Sequence, residues 1–351
     1  NLGLGTTMPS QKLEVQGNIL TTQEDAPVAK AYTSENLNGL KGIFVSGKYA
    51  YVVSGTNNLL CIFDVSNPDS IVTKGSINGS GWDSVYVSGK YAYTVENAAN
   101  LLNIFDISNP DSIVAKGNTG VGLSLPFNVY VSVKYAYVTS FGRGRLSIFD
   151  ISNPDSIVTK AYTSENLGTA LGVRVSGKYA YVTDWEGGYG QLCIYDISNP
   201  DSIVTKGYIT GDLGWPYTLY VSGKYAYVPD NGGSGLFNIF DISNPDSIVA
   251  RGNTGVGLSR PYTCYVSGKY AYVTSFDNAR LAVFDVSNPD SIVTKGYTGV
   301  GLSDPLGVFV SGKYAYVTND GNNRLCIFEL NNTDTPTFNT GAATISNLQV
   351  Y

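Results

Sequence analysis

Seven near-copies of one unit run along this chain. Each reads as Val-Ser-Gly-Lys-Tyr-Ala-Tyr-Val, a short variable loop, and then Leu-x-Ile-Phe-Asp-Ile-Ser-Asn-Pro-Asp-Ser-Ile-Val. The shared lysines, Lys48, Lys90, Lys134, Lys178, Lys224, Lys269 and Lys313, are spaced by 42 to 46 residues. A period of that length with strand-forming content predicts a radial repeat fold, a β-propeller. Residues present in every copy build the copy, so function is to be sought where the copies differ.

Within each unit, turn residues separate four short runs of strand character. In the first copy these are residues 41–45, 48–53, 59–65 and 70–76. Ser-Gly joins the first pair, because glycine supplies the positive φ that a two-residue hairpin needs. The third copy has Ser132-Val133-Lys134 instead. A β-branched residue is costly at positive φ, so a different turn is expected there. Asn-Pro-Asp-Ser follows the third run in six copies. Proline presets φ, and the Asn and Asp side chains bond to nearby amides.

The seventh copy lacks this turn and the fourth strand after it. The missing strand lies at the other end of the chain: residues 31–37 are identical to residues 161–167. The expected fold is therefore all-β, a seven-bladed β-propeller of four-stranded blades over residues 27–330, closed by the N-terminal strand completing blade 7. Closure removes the open edges of an incomplete ring. The domain reading is a fibre- or shaft-like segment at 1–26, the propeller at 27–330, and a C-terminal tail or shaft-like segment at 331–351.

In the first strands one position is aromatic in six copies, Phe44, Tyr86, Tyr130, Tyr220, Tyr265 and Phe309, and is Arg174 in the fourth copy. Aromatic side chains on one face and aliphatic ones on the other suit blades packed against neighbours on both sides. Most of the 27 tyrosines are thus architectural. Arg174 needs a carboxylate, a carbonyl or solvent. Cys61, Cys193 and Cys326 share one repeat position, where equivalent sites on separate blades lie too far apart to bridge, and Cys264 lies on a different strand; all four are read as buried thiols.

The recurrent Tyr-Ala-Tyr-Val, as in Tyr314-Ala315-Tyr316-Val317-Thr318-Asn319, with Leu-x-Ile-Phe-Asp-Ile-Ser-Asn-Pro, resembles the LVIVD and YVTN classes of surface propeller repeats. That resemblance implies a propeller from a secreted or cell-surface prokaryotic protein, and no known ligand. The segment from Gly3 to Ile19 is similar to one found in phage tail fibres and bacterial surface fibres. That second resemblance implies a shaft, often trimeric, so self-association through the tails is expected. The chain begins at Asn1, and we read it as part of a longer polypeptide.

Several chemistries are excluded or disfavoured. There is no histidine, which removes His triads, His metal sites and imidazole shuttles. The formal charge is −6 with no basic run, so nucleic acid is not an expected partner. No apolar stretch approaches the roughly 18 residues of a membrane span. The acids ending the third strands, Asp64, Asp106, Asp150, Asp196, Asp241, Asp285 and Glu329, are read as turn caps and lysine partners. Asp184-Trp185-Glu186 and Asn319-Asp320-Gly321-Asn322 are weak calcium candidates, and no cofactor or metal is expected.

Copy differences concentrate in the loops joining second to third strands and one blade to the next, which share one face of a propeller. The candidate ligand-binding residues there are Trp82, Trp185, Trp215, Phe141, Arg143, Tyr189, Arg260 and Phe276, with Glu186, Asp277 and Arg280 nearby. Aromatics among polar groups suit sugar rings, which offer an apolar face and hydroxyls. The competing reading is that these aromatics cover blade ends or line subunit contacts. The leading expectation is a non-enzymatic extracellular or cell-surface module, or part of a virion tail fibre, that recognises a surface glycan or protein receptor. An alternative is a structural subunit whose tails drive filament or trimer assembly. A third is an enzyme acting on polysaccharide.

Overall fold

The computed structural model describes residues 26–163, 167–232 and 235–331. The shaft-like reading of 1–26 and the tail reading of 331–351 lie outside them, apart from residues 26 and 331. Among the described residues are seven four-stranded antiparallel sheets, six of them in simple sequence order. Those six span residues 40–78, 82–119, 126–162, 170–213, 220–254 and 261–298 (blades 1 to 6). Blade 7 combines Pro305–Ser311, Tyr314–Asn319 and Arg324–Glu329 with Val28–Thr33, which pairs antiparallel to Arg324–Glu329 from Val28↔Glu329 to Thr33↔Leu325. The predicted closure by an N-terminal strand is present.

The core lies between blades. One layer packs Tyr137, Leu146 and Ile148 of blade 3 on Val173, Val182 and Cys193 of blade 4. Another packs Tyr316, Leu325 and Ile327 of blade 7 on Val52, Cys61 and Phe63 of blade 1, which closes the ring. Each such side chain contributes about 1.5–3 kcal/mol when fully buried. All four cysteines are buried free thiols, and burial pushes Cys61, Cys193 and Cys326 up to about 12. They act as small apolar groups.

The six strand-end aspartates cap turns, whereas Glu329 pairs with Lys313 and Lys30. Asp64 Oδ1 accepts from the Ser66 amide (2.9 Å) and hydroxyl (2.6 Å), and its other oxygen meets Lys48 at 3.4 Å. The Asn-Pro-Asp-Ser turn also fastens neighbouring blades. Its aspartate pairs with a lysine on the preceding outer strand, as in Lys30–Asp69 (3.0 Å), Lys116–Asp155 (3.0 Å) and Lys160–Asp201 (2.7 Å). Pro154 and Pro289 carbonyls accept from the Gly117 and Gly252 amides at 2.7 Å.

One turn departs from expectation. Val133 has φ 55°, in line with 58° at both Gly89 and Gly177. It is 93% exposed, so its side chain clashes with nothing. The penalty of about 1–2 kcal/mol for this conformation is smaller than the cost of breaking the Ser132↔Tyr135 register, since a one-residue slip would turn every side chain of the strand to the wrong face.

Candidate ligand-binding face

The innermost strands surround an axial cavity of about 310 Å³. Along each of them four positions bear on the site, and the copies hold the first three loosely. Outermost is a residue at positive φ in Gly39, Gly81, Leu125, Arg260 and Asp304. Next comes a buried position occupied by Leu40, Trp82, Pro126, Ala170, Pro216, Pro261 and Pro305. The third position carries Lys41, Asp83, Phe127, Leu171, Tyr217, Tyr262 and Leu306, and all of these but Leu171 and Tyr217 line the cavity. Three residues further along is the recurrent aromatic position.

At that deeper level the side chains meet their equivalents around the axis. Ring centroids are 4.8 Å apart for Phe309–Phe44, 4.7 Å for Phe44–Tyr86, and 4.8 Å for Tyr86–Tyr130, Tyr220–Tyr265 and Tyr265–Phe309. The aromatics therefore line the cavity as well as the blade interfaces. Arg174 fills the remaining place, its guanidinium 5.7 Å from the Tyr130 ring centre. Its Nη1 donates to the Val173 carbonyl at 2.8 Å, the carbonyl partner foreseen as one of three options.

Above this ring, copy-specific aromatics from three blades converge. Trp185 stacks on Trp215 at 4.6 Å and 12°, Trp215 on Tyr217 at 5.9 Å and 17°, and Tyr217 on Tyr262 at 4.6 Å and 20°. Phe127 approaches Tyr217 at 6.0 Å. The column thus runs from the Trp185 hairpin to the cavity mouth. Blade 5 shows why it forms. Pro229 stands where four copies have Thr139, Thr183, Thr274 and Thr318 and two have Val53 and Val95, and proline has no N–H for the ladder. The inner strand of that blade accordingly pairs only over Tyr220–Ser222. The freed segment is held by Asp230, whose carboxylate accepts from the Gly214 (2.9 Å), Trp215 (2.6 Å) and Gly232 (3.0 Å) amides.

Charge at the mouth is balanced. Burial raises the Asp83 carboxyl to about 6, against the opposing pull of Lys41 and a hydrogen bond from Asn97. Burial likewise raises the Tyr262 hydroxyl, helped by Tyr217, Asp83 and Asp320 and opposed by Arg260. Arg260 pairs with Asp277 at 3.1 Å and lies 4.9 Å from the Phe276 ring centre.

The structure sorts the sequence candidates unevenly. Trp185 and Trp215 come together in the column, and Arg260, Phe276 and Asp277 form a cluster beside it. Tyr189, 66% exposed, sits opposite Glu186 at the tip of the blade 4 hairpin. Phe141 and Arg143 lie exposed on a short 3-10 turn of blade 3, and Arg280 turns away to stack on Tyr297 at 4.1 Å. Trp82 is a correction: it has 0% exposure and packs on Phe105 at 5.6 Å. Its place in the copy is the buried position of Leu40 and the four prolines, so it covers a blade end and offers nothing to a ligand. The two calcium candidates direct oxygens to the chain, with Asp184 accepting from Gly168 (3.0 Å) and Thr169 (2.8 Å), and Asn319 from Ser303 (3.4 Å).

Sequence reasoning missed Phe127, Tyr217, Tyr262, Lys41 and Asp83. Comparing the third inner-strand position across copies would have exposed them, because no single residue type is imposed there.

Fold and site together define a seven-bladed propeller of near-identical blades with one copy-specific aromatic face. The chain belongs to the LVIVD repeat family, whose pattern matches residues 40–79, 81–120, 127–162, 167–210, 217–254, 263–298 and 306–338. No curated protein matches the chain. Similar solved structures include a candidate 6-phosphogluconolactonase from Bacteroides uniformis ATCC 8492, 17% identical over 84% of this chain and 92% of that one, with a TM-score of 0.67. Virginiamycin B lyase from Staphylococcus aureus is 15% identical over 84% and 95%, with a TM-score of 0.64. BamB from Moraxella catarrhalis is 13% identical over 85% and 84%, with a TM-score of 0.55. At such identities the likeness shows the fold alone, and one fold hosts many functions.

Proposed function

We propose that this protein is a non-enzymatic recognition module displayed outside the cell, which binds a surface glycan or receptor through its variable loop face. One observation carries the reading: Trp185, Trp215, Tyr217 and Tyr262, none of them required by the repeat, stack into a single column beside the cavity mouth. Stacking holds each ring in place before a ligand arrives, which lowers the ordering cost of binding. The pairwise stacks also cover ring faces, so a ligand would meet the column through ring edges, the Trp185 end and the exposed Tyr189. Loop-face carboxylates support a binding role over catalysis, since Asp184 and Asp230 are committed to backbone amides. Among the described residues no helix is long and apolar enough to cross a membrane.

The test is a glycan and surface-protein array probed with the full chain. Retention on a defined ligand class supports the reading; a blank array together with turnover of a polysaccharide would replace it with the enzymatic one.

A further inference from the structure

We infer that the axial cavity is a binding site for a compact carboxylate, and that Arg174 is its anion-binding residue. The site lies at the level of the inner ring, below the aromatic column with which it shares Tyr262, and the inference does not depend on the loop-face reading.

Six copies place an aromatic ring at this level of the axis, and the fourth copy places a guanidinium, so packing alone does not call for a cation. A guanidinium has five N–H donors. The two on Nη1 face the Val173 carbonyl at 2.8 Å and Asn128 Oδ1 at 3.4 Å. Among the described residues nothing accepts from Nε or Nη2, and no carboxylate forms an ion pair with Arg174. The Nε–Nη2 edge is one of the two that grip a carboxylate with parallel hydrogen bonds.

The surroundings select the ligand further. Arg174 lines the 310 Å³ cavity together with Tyr130 and Tyr220. That volume lies at the lower end of small-molecule sites, which run from about 300 Å³. The other cation on the lining, Lys41, is offset by Asp83 at the mouth. One net positive charge remains, which matches a monocarboxylate better than a phosphate dianion. Tyr86 and Tyr130 stand on one side of Arg174 with ring centres 4.8 Å apart, and Tyr220 and Tyr265 stand on the other, also 4.8 Å apart. Ring faces with hydroxyls between them suit an acidic sugar. A free hexuronate and the terminal uronate of a glycan present the same group.

Titration calorimetry on the full chain tests this with sodium glucuronate, a uronate-terminated trisaccharide, glucose, sodium sulfate and inorganic phosphate. Glucuronate is expected to bind and glucose to bind at least about tenfold more weakly. Binding of the trisaccharide as well would assign the site to glycan ends; its exclusion would assign it to free sugar acids. Arg174→Tyr restores the residue type of the other copies, so the ring should fold while glucuronate affinity falls at least about tenfold. Arg174→Lys keeps the charge without the fork and should lie between, and it serves if the first variant fails to fold. The proposal is overturned if glucuronate does not bind, if Arg174→Tyr binds it unchanged, or if sulfate or phosphate binds as well as the carboxylate.

Discussion

Val133 shows at the level of one residue how the repeat dominates local preference. Its ladder partners on both sides hold the hairpin closed, and the exposed valine accepts φ 55°. Val133→Gly should therefore stabilise the protein, by about 0.5–1 kcal/mol once the greater freedom of glycine in the unfolded chain is subtracted. Chemical denaturation of the two proteins measures it, and a lowered midpoint would mean that the valine makes a contribution unseen in its surroundings. Trp82 carries the complementary lesson. Exposed tryptophan was expected from its place near a loop, yet its alignment with Leu40, Pro126 and Ala170 already marked a buried site. Tyr217 and Tyr262 were hidden for a different reason: in a chain with 27 tyrosines, two more attract no notice until the copies are compared position by position.

Individual strands and turns were the most legible level. Ser-Gly hairpins, Asn-Pro-Asp-Ser turns and the displaced outer strand follow from turn chemistry and from matching copies, which need no tertiary information. The stacking of Trp185 on Trp215 was not accessible in that way, because it joins different blades and depends on the blade 5 inner strand being released by Pro229. Val28–Thr33 is the element on which closure rests. Removing residues 1–33 should leave the Arg324–Glu329 edge unpaired and abolish a single cooperative unfolding transition, with association at that edge. Removing residues 1–25 should leave the transition in place. Circular dichroism melts with size-exclusion chromatography distinguish the two; a ring that melts cooperatively without residues 28–33 would show that closure lies elsewhere.

Over the whole molecule, recurrent and copy-specific features separate by face. One face carries the recurrent Ser-Gly-Lys and Asn-Pro-Asp-Ser turns with their inter-blade ion pairs. The opposite face carries the copy-specific column, the Arg260 cluster and the cavity mouth. The repeat made the first legible and, by its uniformity, left the second as what remains after subtraction. Recognition through the variable face is the central claim, and it is tested most directly by measuring the affinity of the full chain for a ligand found on the array after single changes on each face. Trp185→Ala should weaken binding at least about tenfold, the scale of a contact worth 1.4 kcal/mol, while Lys178→Ala on the turn face should leave it unchanged with both rings folded. Loss of binding in the Lys178 variant alone, or unchanged binding in both, would contradict the account.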